Sequence, residues 1–150
     1  MTTLKVLDKA PNFSGIDQHG NTVNLTDYKG KKVVLFFYPK ASTPGCTAEA
    51  CDLQNNLERF SALNYQVIGV SADSQKRQFN FADKNKLEYP LIADEEMNII
   101  KAYDVWGPKK FMGREYDGIH RTTFIIDENG FIKDIITKVK TKEHTLQILK

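Results

Sequence analysis

The sequence is poor in most features that would assign it a simple task. Only two of its 150 residues are cysteine, too few for a disulfide scaffold in a chain of this length. No apolar run approaches the ~18 residues of a membrane span. The opening Met1-Thr2-Thr3-Leu4-Lys5-Val6-Leu7-Asp8 lacks the apolar core of a signal peptide, so the chain is expected to stay in the cytoplasm, where it is made. Lysine and arginine are scattered among the acids for a net charge of +2. No basic stripe with interleaved aromatics offers itself to nucleic acid. A phosphate-binding loop is missing, and Gly69-Val70-Ser71-Ala72-Asp73 lacks the second glycine of a nucleophile elbow. His19, His120 and His144 are dispersed, and they form no zinc-ligand spacing with the cysteines. No repeat and no break in composition appears, so one domain is expected across residues 1–150.

What remains is an ordinary globular composition, 41% hydrophobic and 27% charged, long enough to bury a core. Residues 10 to 25 read as an N-terminal β-hairpin around Asp17-Gln18-His19-Gly20-Asn21. Val33-Val34-Leu35-Phe36-Phe37-Tyr38 reads as a strand buried on both faces. Cys46 to Leu63 has apolar residues at helical spacing (Ala50, Leu53, Leu57, Phe60, Leu63), with Thr43 or Gly45 at its cap and Pro44 near its first turn. A second buried strand follows at Tyr65 to Ala72. The polar stretch Ser74 to Lys86 reads as a helix with Phe79 and Phe81-Ala82 turned inward. Tyr89 to Ala93 is extended, and a short helix opens at Asp94. Asp104 to His120, interrupted by glycine and proline yet rich in aromatics, reads as a packed loop. Arg121 to Asp127 and Phe131 to Val139 form a late hairpin, and Thr141 to Lys150 closes the chain as a helix with Leu146 and Leu149 inward. Strands alternating with helices, then a hairpin, predict a mixed central sheet flanked by helices, an α/β fold.

Both cysteines fall where a buried strand gives way to a loop and a helix. A helix N-terminus carries unpaired N–H groups and about half a positive charge, which favours the thiolate form of a thiol placed there. Cys46 holds that position. Thr43, three residues earlier, can direct its hydroxyl towards the sulfur or a bound oxygen. Arg121, at a strand start beside the aromatic loop, is either the cation of a site or a surface arginine. Cys51 stands five residues after Cys46, and on one intact helix that spacing separates the Cα atoms by roughly 8–9 Å. A disulfide needs about 7 Å or less. So Cys51 is either a buried structural thiol or a partner that Cys46 meets only when the helix unwinds.

Pro39-x-x-x-Thr43-x-x-Cys46 resembles the active-site signature of peroxiredoxins. The longer Phe37-Tyr38-Pro39-Lys40…Thr43-Pro44-Gly45-Cys46-Thr47…Ala50-Cys51 resembles the bacterioferritin-comigratory-protein subgroup, also called the Q type. The likeness continues through Val105-Trp106-Gly107, Lys110-Phe111-Met112-Gly113, Tyr116 to Arg121 and Phe124 to Asp127, and spans nearly the whole chain. It implies a thioredoxin-like fold and reduction of hydroperoxides, both hydrogen peroxide and organic ones. Cys46 would be the nucleophile that becomes a sulfenic acid. Thr43 and Arg121 would hold the thiolate and the peroxide oxygens, and Pro39 would shield the sulfenic acid. Glu49 would orient Arg121. Cys51 would resolve the sulfenic acid as an intramolecular disulfide, which thioredoxin or a similar dithiol reduces. No cofactor and no metal are implied, and the subgroup implies a monomer. The same cysteine pair would also suit a redox-sensing or holdase module without turnover.

Overall fold

The structure, a computed structural model, describes residues 2–149. Met1 and Lys150 lie outside them. In chain order the elements begin with β1 (Ser14–Ile16), β2 (Thr22–Asn24), a short 3-10 turn and β3 (Lys32–Phe37). Then come α1 (Pro44–Asn55), α2 (Leu57–Ala62), β4 (Tyr65–Ser71), α3 (Gln75–Asn85), β5 (Leu91–Ala93) and α4 (Asn98–Ala102). The chain continues through β6 (Trp106–Phe111), β7 (Arg114–Ile119), β8 (Thr122–Ile126) and β9 (Ile132–Ile136) to α5 (His144–Ile148). Among the described residues no helix is long and apolar enough to cross a membrane.

Five strands form one mixed sheet in the order β5-β4-β3-β8-β9. The β3, β4 and β5 strands run parallel, whereas β8 is antiparallel to β3 and β9 to β8. β3 lies at the centre because its run of residues is apolar on both faces. Val33, Leu35 and Phe37 point into one core, with Phe13, Val23, Ile99, Ile100 and Tyr103. Val34, Phe36 and Tyr38 point into the other, under α1, α2 and α3, with Ala50, Leu53, Phe60 and Phe81. Full burial of each such side chain contributes about 1.5–3 kcal/mol. This is the expected mixed α/β sheet flanked by helices, and β1 and β2 pair antiparallel as the expected N-terminal hairpin.

Four local expectations are corrected. The long helix divides at Asn56 (φ −113°, ψ 15°). Its side-chain Nδ2 donates to the Asp52 carbonyl at 2.8 Å, the acceptor that its own N–H would need in a continuing helix, and the N–H turns to Leu53 instead. Leu63, beyond that break, is exposed. Residues 104 to 120 are not a packed loop. β6 and β7 pair from Trp106 opposite Ile119 to Phe111 opposite Arg114, around Met112-Gly113, both at positive φ (51° and 79°). Trp106 and Ile119 at the base of the ribbon pack into the core, but its far end stands clear, so Phe111, Met112 and Tyr116 are exposed and no alternation marked them as strands. On α3 the inward residues are Gln78, Phe81 and Ala82, while Phe79 is exposed and meets the His19 ring edge-on. The closing helix starts only at His144 rather than at Thr141, with Glu143 at its cap. Its buried residues are His144 and Thr145, and Leu146 is exposed.

Candidate active site

Topology explains how Arg121 reaches Cys46. The end of β3 pairs with the start of β8, Phe37 opposite Thr122. The residue before β8 therefore lies beside the loop that leaves β3 and enters α1. From there Arg121 Nη2 donates to Cys46 Sγ at 3.3 Å, and Nη1 donates to Glu49 Oε1 at 2.7 Å. Burial works against the Arg121 charge, but Cys46 and Glu49 outweigh it and hold the guanidinium above its ordinary range. Arg121 is half-buried, with its guanidinium against Cys46 and Glu49.

Cys46 is the third residue of α1 and only 1% exposed. Thr43 is the N-cap, and Pro44 takes the first helical position, where its missing N–H costs nothing. The N–H groups of Gly45 and Cys46 are then the first-turn donors without an intrahelical acceptor. The Thr43 hydroxyl donates to the Lys40 carbonyl at 2.8 Å. Its one proton is therefore spent away from the sulfur, and the oxygen lone pairs are what it offers to a ligand. Pro39 follows β3 and is partly buried.

The loop is held from behind. Asp73 Oδ2 accepts from Ala41 N at 2.8 Å and from Ser71 Oγ at 2.7 Å. Gln78 Nε2 donates to Ser71 Oγ at 2.8 Å and to the Ile92 carbonyl at 2.9 Å, and Tyr38 donates to Gln78 Oε1. This buried chain ties the loop to β4, α3 and β5.

Glu49 sits one turn after Cys46 on the same face of α1 and is fully buried. Burial, offset by Arg121, pushes its carboxyl up to about 7. Among the described residues its Oε2 accepts no hydrogen bond, and it faces His144 Nε2 at 3.4 Å. Lys109 reaches from β6 to donate to the Ile119 carbonyl at 2.9 Å. Burial, then Arg121, lowers its pKa, while Cys46 raises it.

Cys51 is half-buried, and burial pushes its thiol up. Its Sγ lies 3.7 Å from Asn85 Oδ1. Both cysteines are free and both belong to the unbroken α1. The helix therefore keeps their Cα atoms roughly 8–9 Å apart, beyond disulfide reach.

Of the residues singled out in the sequence, Cys46, Thr43 and Arg121 come together with Pro39 at the loop, while Cys51 stands off. Sequence reasoning missed Asp73, Lys109 and His144. The helical spacing of Cys46 and Glu49 was a usable signal. Nothing local to Asp73, Lys109 or His144 was, because each reaches the site through tertiary packing alone.

Residues 6–135 match the family model described as the AhpC/TSA family. The chain is 44% identical over 144 residues to "Peroxiredoxin Bcp" of Escherichia coli K12, covering 96% of this chain and 92% of that protein. It is 46% identical over 147 residues to "Peroxiredoxin Bcp" of Bacillus subtilis 168, covering 98% and 94%. Among solved structures, a cysteine-to-serine mutant of Xylella fastidiosa PrxQ superposes with a TM-score of 0.93 at 30% identity, covering 99% of this chain and 95% of that one. The Xanthomonas campestris bacterioferritin comigratory protein, whose structures address alkyl peroxide reduction, superposes with a TM-score of 0.87 at 31% identity, with coverages of 99% and 95%.

Proposed function

The chain belongs to the AhpC/TSA family, in its bacterioferritin-comigratory or Q-type peroxiredoxin branch, and from that premise we propose how its two cysteines carry out thiol-dependent peroxide reduction. The fold is thioredoxin-like, and the activity is that of a peroxidase. The observation that carries the mechanism is the 3.3 Å contact of Arg121 Nη2 with Cys46 Sγ at the N-terminus of α1.

The Cys46 thiolate attacks the terminal oxygen of a hydroperoxide. An S–O bond forms as the O–O bond breaks, and the leaving oxygen takes up a proton to depart as water or alcohol. Cys46 becomes a sulfenic acid. Arg121 and the open N–H groups of Gly45 and Cys46 stabilise the charge that shifts onto the oxygens. The Thr43 oxygen accepts from the peroxide O–H, which suits a hydroxyl whose proton is engaged by Lys40. Pro39 screens the sulfenic acid.

Cys51 resolves it. The first turns of α1 unwind, the Cys51 sulfur attacks the Cys46 sulfur, and water leaves. The disulfide is returned to two thiols by two electrons from thioredoxin or a similar dithiol. Both sulfurs come from one helix, which supports a monomer that needs no second copy. Cycling of this kind requires a reducing compartment, which supports the cytoplasm as its place of work. The two cores share β3, β4 and β8, which supports reading the chain as one domain.

The test is hydroperoxide consumption coupled to thioredoxin, thioredoxin reductase and NADPH. Cys46→Ser is expected to abolish it, and full activity in that variant sinks the mechanism. Mass spectrometry after one equivalent of peroxide tests Cys51. Loss of two hydrogens marks the internal disulfide, whereas a stable added oxygen in the wild type makes Cys51 a bystander.

A further inference from the structure

Glu49 ends in an oxygen without a partner. Oε1 takes Arg121, but Oε2 is buried and accepts no hydrogen bond among the described residues. Across 3.4 Å stands Nε2 of His144, a side chain as fully buried as Glu49 itself. An unpaired buried carboxylate oxygen is costly, so what lies between these two atoms matters.

The far side of the ring fixes its tautomer. Gln147 Nε2 donates to the Lys138 carbonyl at 2.9 Å, and Gln147 Oε1 accepts from Lys140 N at 2.9 Å. The amide is thereby oriented with its oxygen towards His144 Nδ1, at 2.8 Å. An oxygen can only accept, so Nδ1 carries hydrogen. A neutral His144 then has a bare Nε2, which takes the Thr123 hydroxyl at 2.7 Å. Nε2 in that form has no hydrogen to offer the carboxylate oxygen 3.4 Å away, which is left unpaired in a buried pocket. One proton removes the deficit. On Nε2 it gives an imidazolium beside a carboxylate, with the Thr123 hydroxyl turned to accept, and on Oε2 it gives a carboxyl that takes the place of the Thr123 hydroxyl on the lone pair of Nε2.

We propose that Glu49 and His144 share one buried proton, and that His144 is through it a positioning residue for Arg121 and the Cys46 thiolate. Its kinetic consequence rests on the reading of Cys46 given above. With the proton present, the Cys46 thiolate, Arg121, Glu49 and His144 together carry no net charge. Once it is lost, an uncompensated Glu49 draws on Arg121 and leaves less of the guanidinium for the sulfur and the peroxide oxygens. The other titratable or charged groups facing the pair are Asp52 on α1, Tyr89 before β5 and Arg121 before β8, which also holds Cys46. Burial raises the Glu49 carboxyl and lowers the His144 imidazole. Both shifts act against the ordinary gap between the two affinities, and two groups in contact at 3.4 Å titrate as a coupled pair.

The experiment is NMR of the reduced protein, labelled at the imidazole nitrogens and at the glutamate carboxyls, from acid to alkaline pH. The His144 Nε2 and Glu49 carboxyl signals are expected to move together in one step. Glu49→Gln, which can offer Nε2 an N–H, is expected to erase that step. An Nε2 that stays bare while the Glu49 carboxyl stays ionised throughout the range overturns the proposal. A kinetic arm follows Cys46 oxidation by stopped flow. His144→Phe is expected to slow it about tenfold, the effect of losing one charged hydrogen bond. His144→Gln, a donor that does not titrate, is expected to restore the rate and remove the alkaline limb of its pH profile. If both variants keep the wild-type pH profile, His144 is structural only and the proposal fails. Should His144→Phe not fold, the wild-type titration still decides. Should Cys46→Ser retain peroxidase activity, the mechanism above falls while the shared proton stands or falls on the NMR alone.

Discussion

The Arg121 guanidinium lies across Gly45, where a side-chain carbon would sit 3.2 Å from Nη2. That is tighter than ordinary carbon contact, so Arg121 has to give way by a few tenths of an ångström. It has little freedom to do so, because Glu49 and Cys46 hold its two arms. Gly45→Ala is therefore expected to lengthen the Nη2–Sγ contact and slow peroxide reaction by about tenfold, roughly 1.4 kcal/mol of transition-state stabilisation. Helix propensity works the other way, by about 0.5–1 kcal/mol in favour of alanine. Slower oxidation of Cys46 in stopped flow, with an unchanged or raised melting temperature, is the expected pair of results. An unchanged rate shows that Arg121 is not confined.

Asp73 anchors the loop at a distance from the chemistry. Asp73→Ala strips acceptors from Ala41 N–H and the Ser71 hydroxyl in a buried site. The cost is about 1–3 kcal/mol, read as a lowered midpoint of urea unfolding. Because Ala41 leads into Thr43 and Pro44, peroxide reaction is expected to slow as well. Asp73→Asn keeps one acceptor oxygen and is expected to recover most of the stability.

How much of this could be read beforehand divides along physical lines. β3 and β4 were legible because full burial on both faces leaves an unbroken apolar run. The β6–β7 ribbon was not, since a two-stranded arm largely in solvent imposes no alternation on its residues. The break at Asn56 was hidden because the apolar spacing runs straight through it, and only a side chain competing for the Asp52 carbonyl reveals it. At the site, Thr43, Pro44 and Cys46 are neighbours in sequence and were found locally. Arg121 needed either the family likeness or the β3–β8 pairing, and His144 needed the fold itself.

The raised Glu49 carboxyl makes a signed prediction about pH. In the unfolded chain it ionises near 4.5, and in the native state near 7, so the native state binds the proton more tightly. Its contribution to stability is present below the unfolded value, declines as pH rises through that window, and is gone above it. His144, lowered by burial, opposes this. It adds stability above its ordinary value of 6.5 and loses it as pH falls. Glu49→Gln removes the first contribution and leaves the second. Thermal unfolding of that variant is expected to shift towards higher relative stability on going from pH 5 to pH 8, compared with wild type. A parallel pH dependence in both proteins rules out a native Glu49 that holds its proton.

Contacts from α5 and from the chain before β5 hold α1 closed. Its distal part is pinned: Asp52 Oδ2 takes Thr145 N at 2.7 Å, Gln54 Nε2 donates to Glu88 at 2.7 Å, and Gln54 Oε1 accepts from Glu88 N at 2.8 Å. Under the proposed resolution by Cys51, these contacts confine unwinding to the turns before Asp52. There the Tyr89 hydroxyl donates to the Ala50 carbonyl at 2.8 Å, between the two cysteines. Tyr89→Phe keeps the ring against Phe36 and removes this one bond, leaving Ala50 its helical partner. A net hydrogen bond is worth about 1 kcal/mol, roughly fivefold in the population of the opened helix. Disulfide formation after a pulse of peroxide is therefore expected to quicken about fivefold, while the first oxidation of Cys46 keeps its rate. Rapid quench with thiol alkylation separates the two steps, and hydrogen exchange over residues 44–51 reports the opening directly. If exchange there rises and resolution does not, opening of α1 is not the step that limits the disulfide.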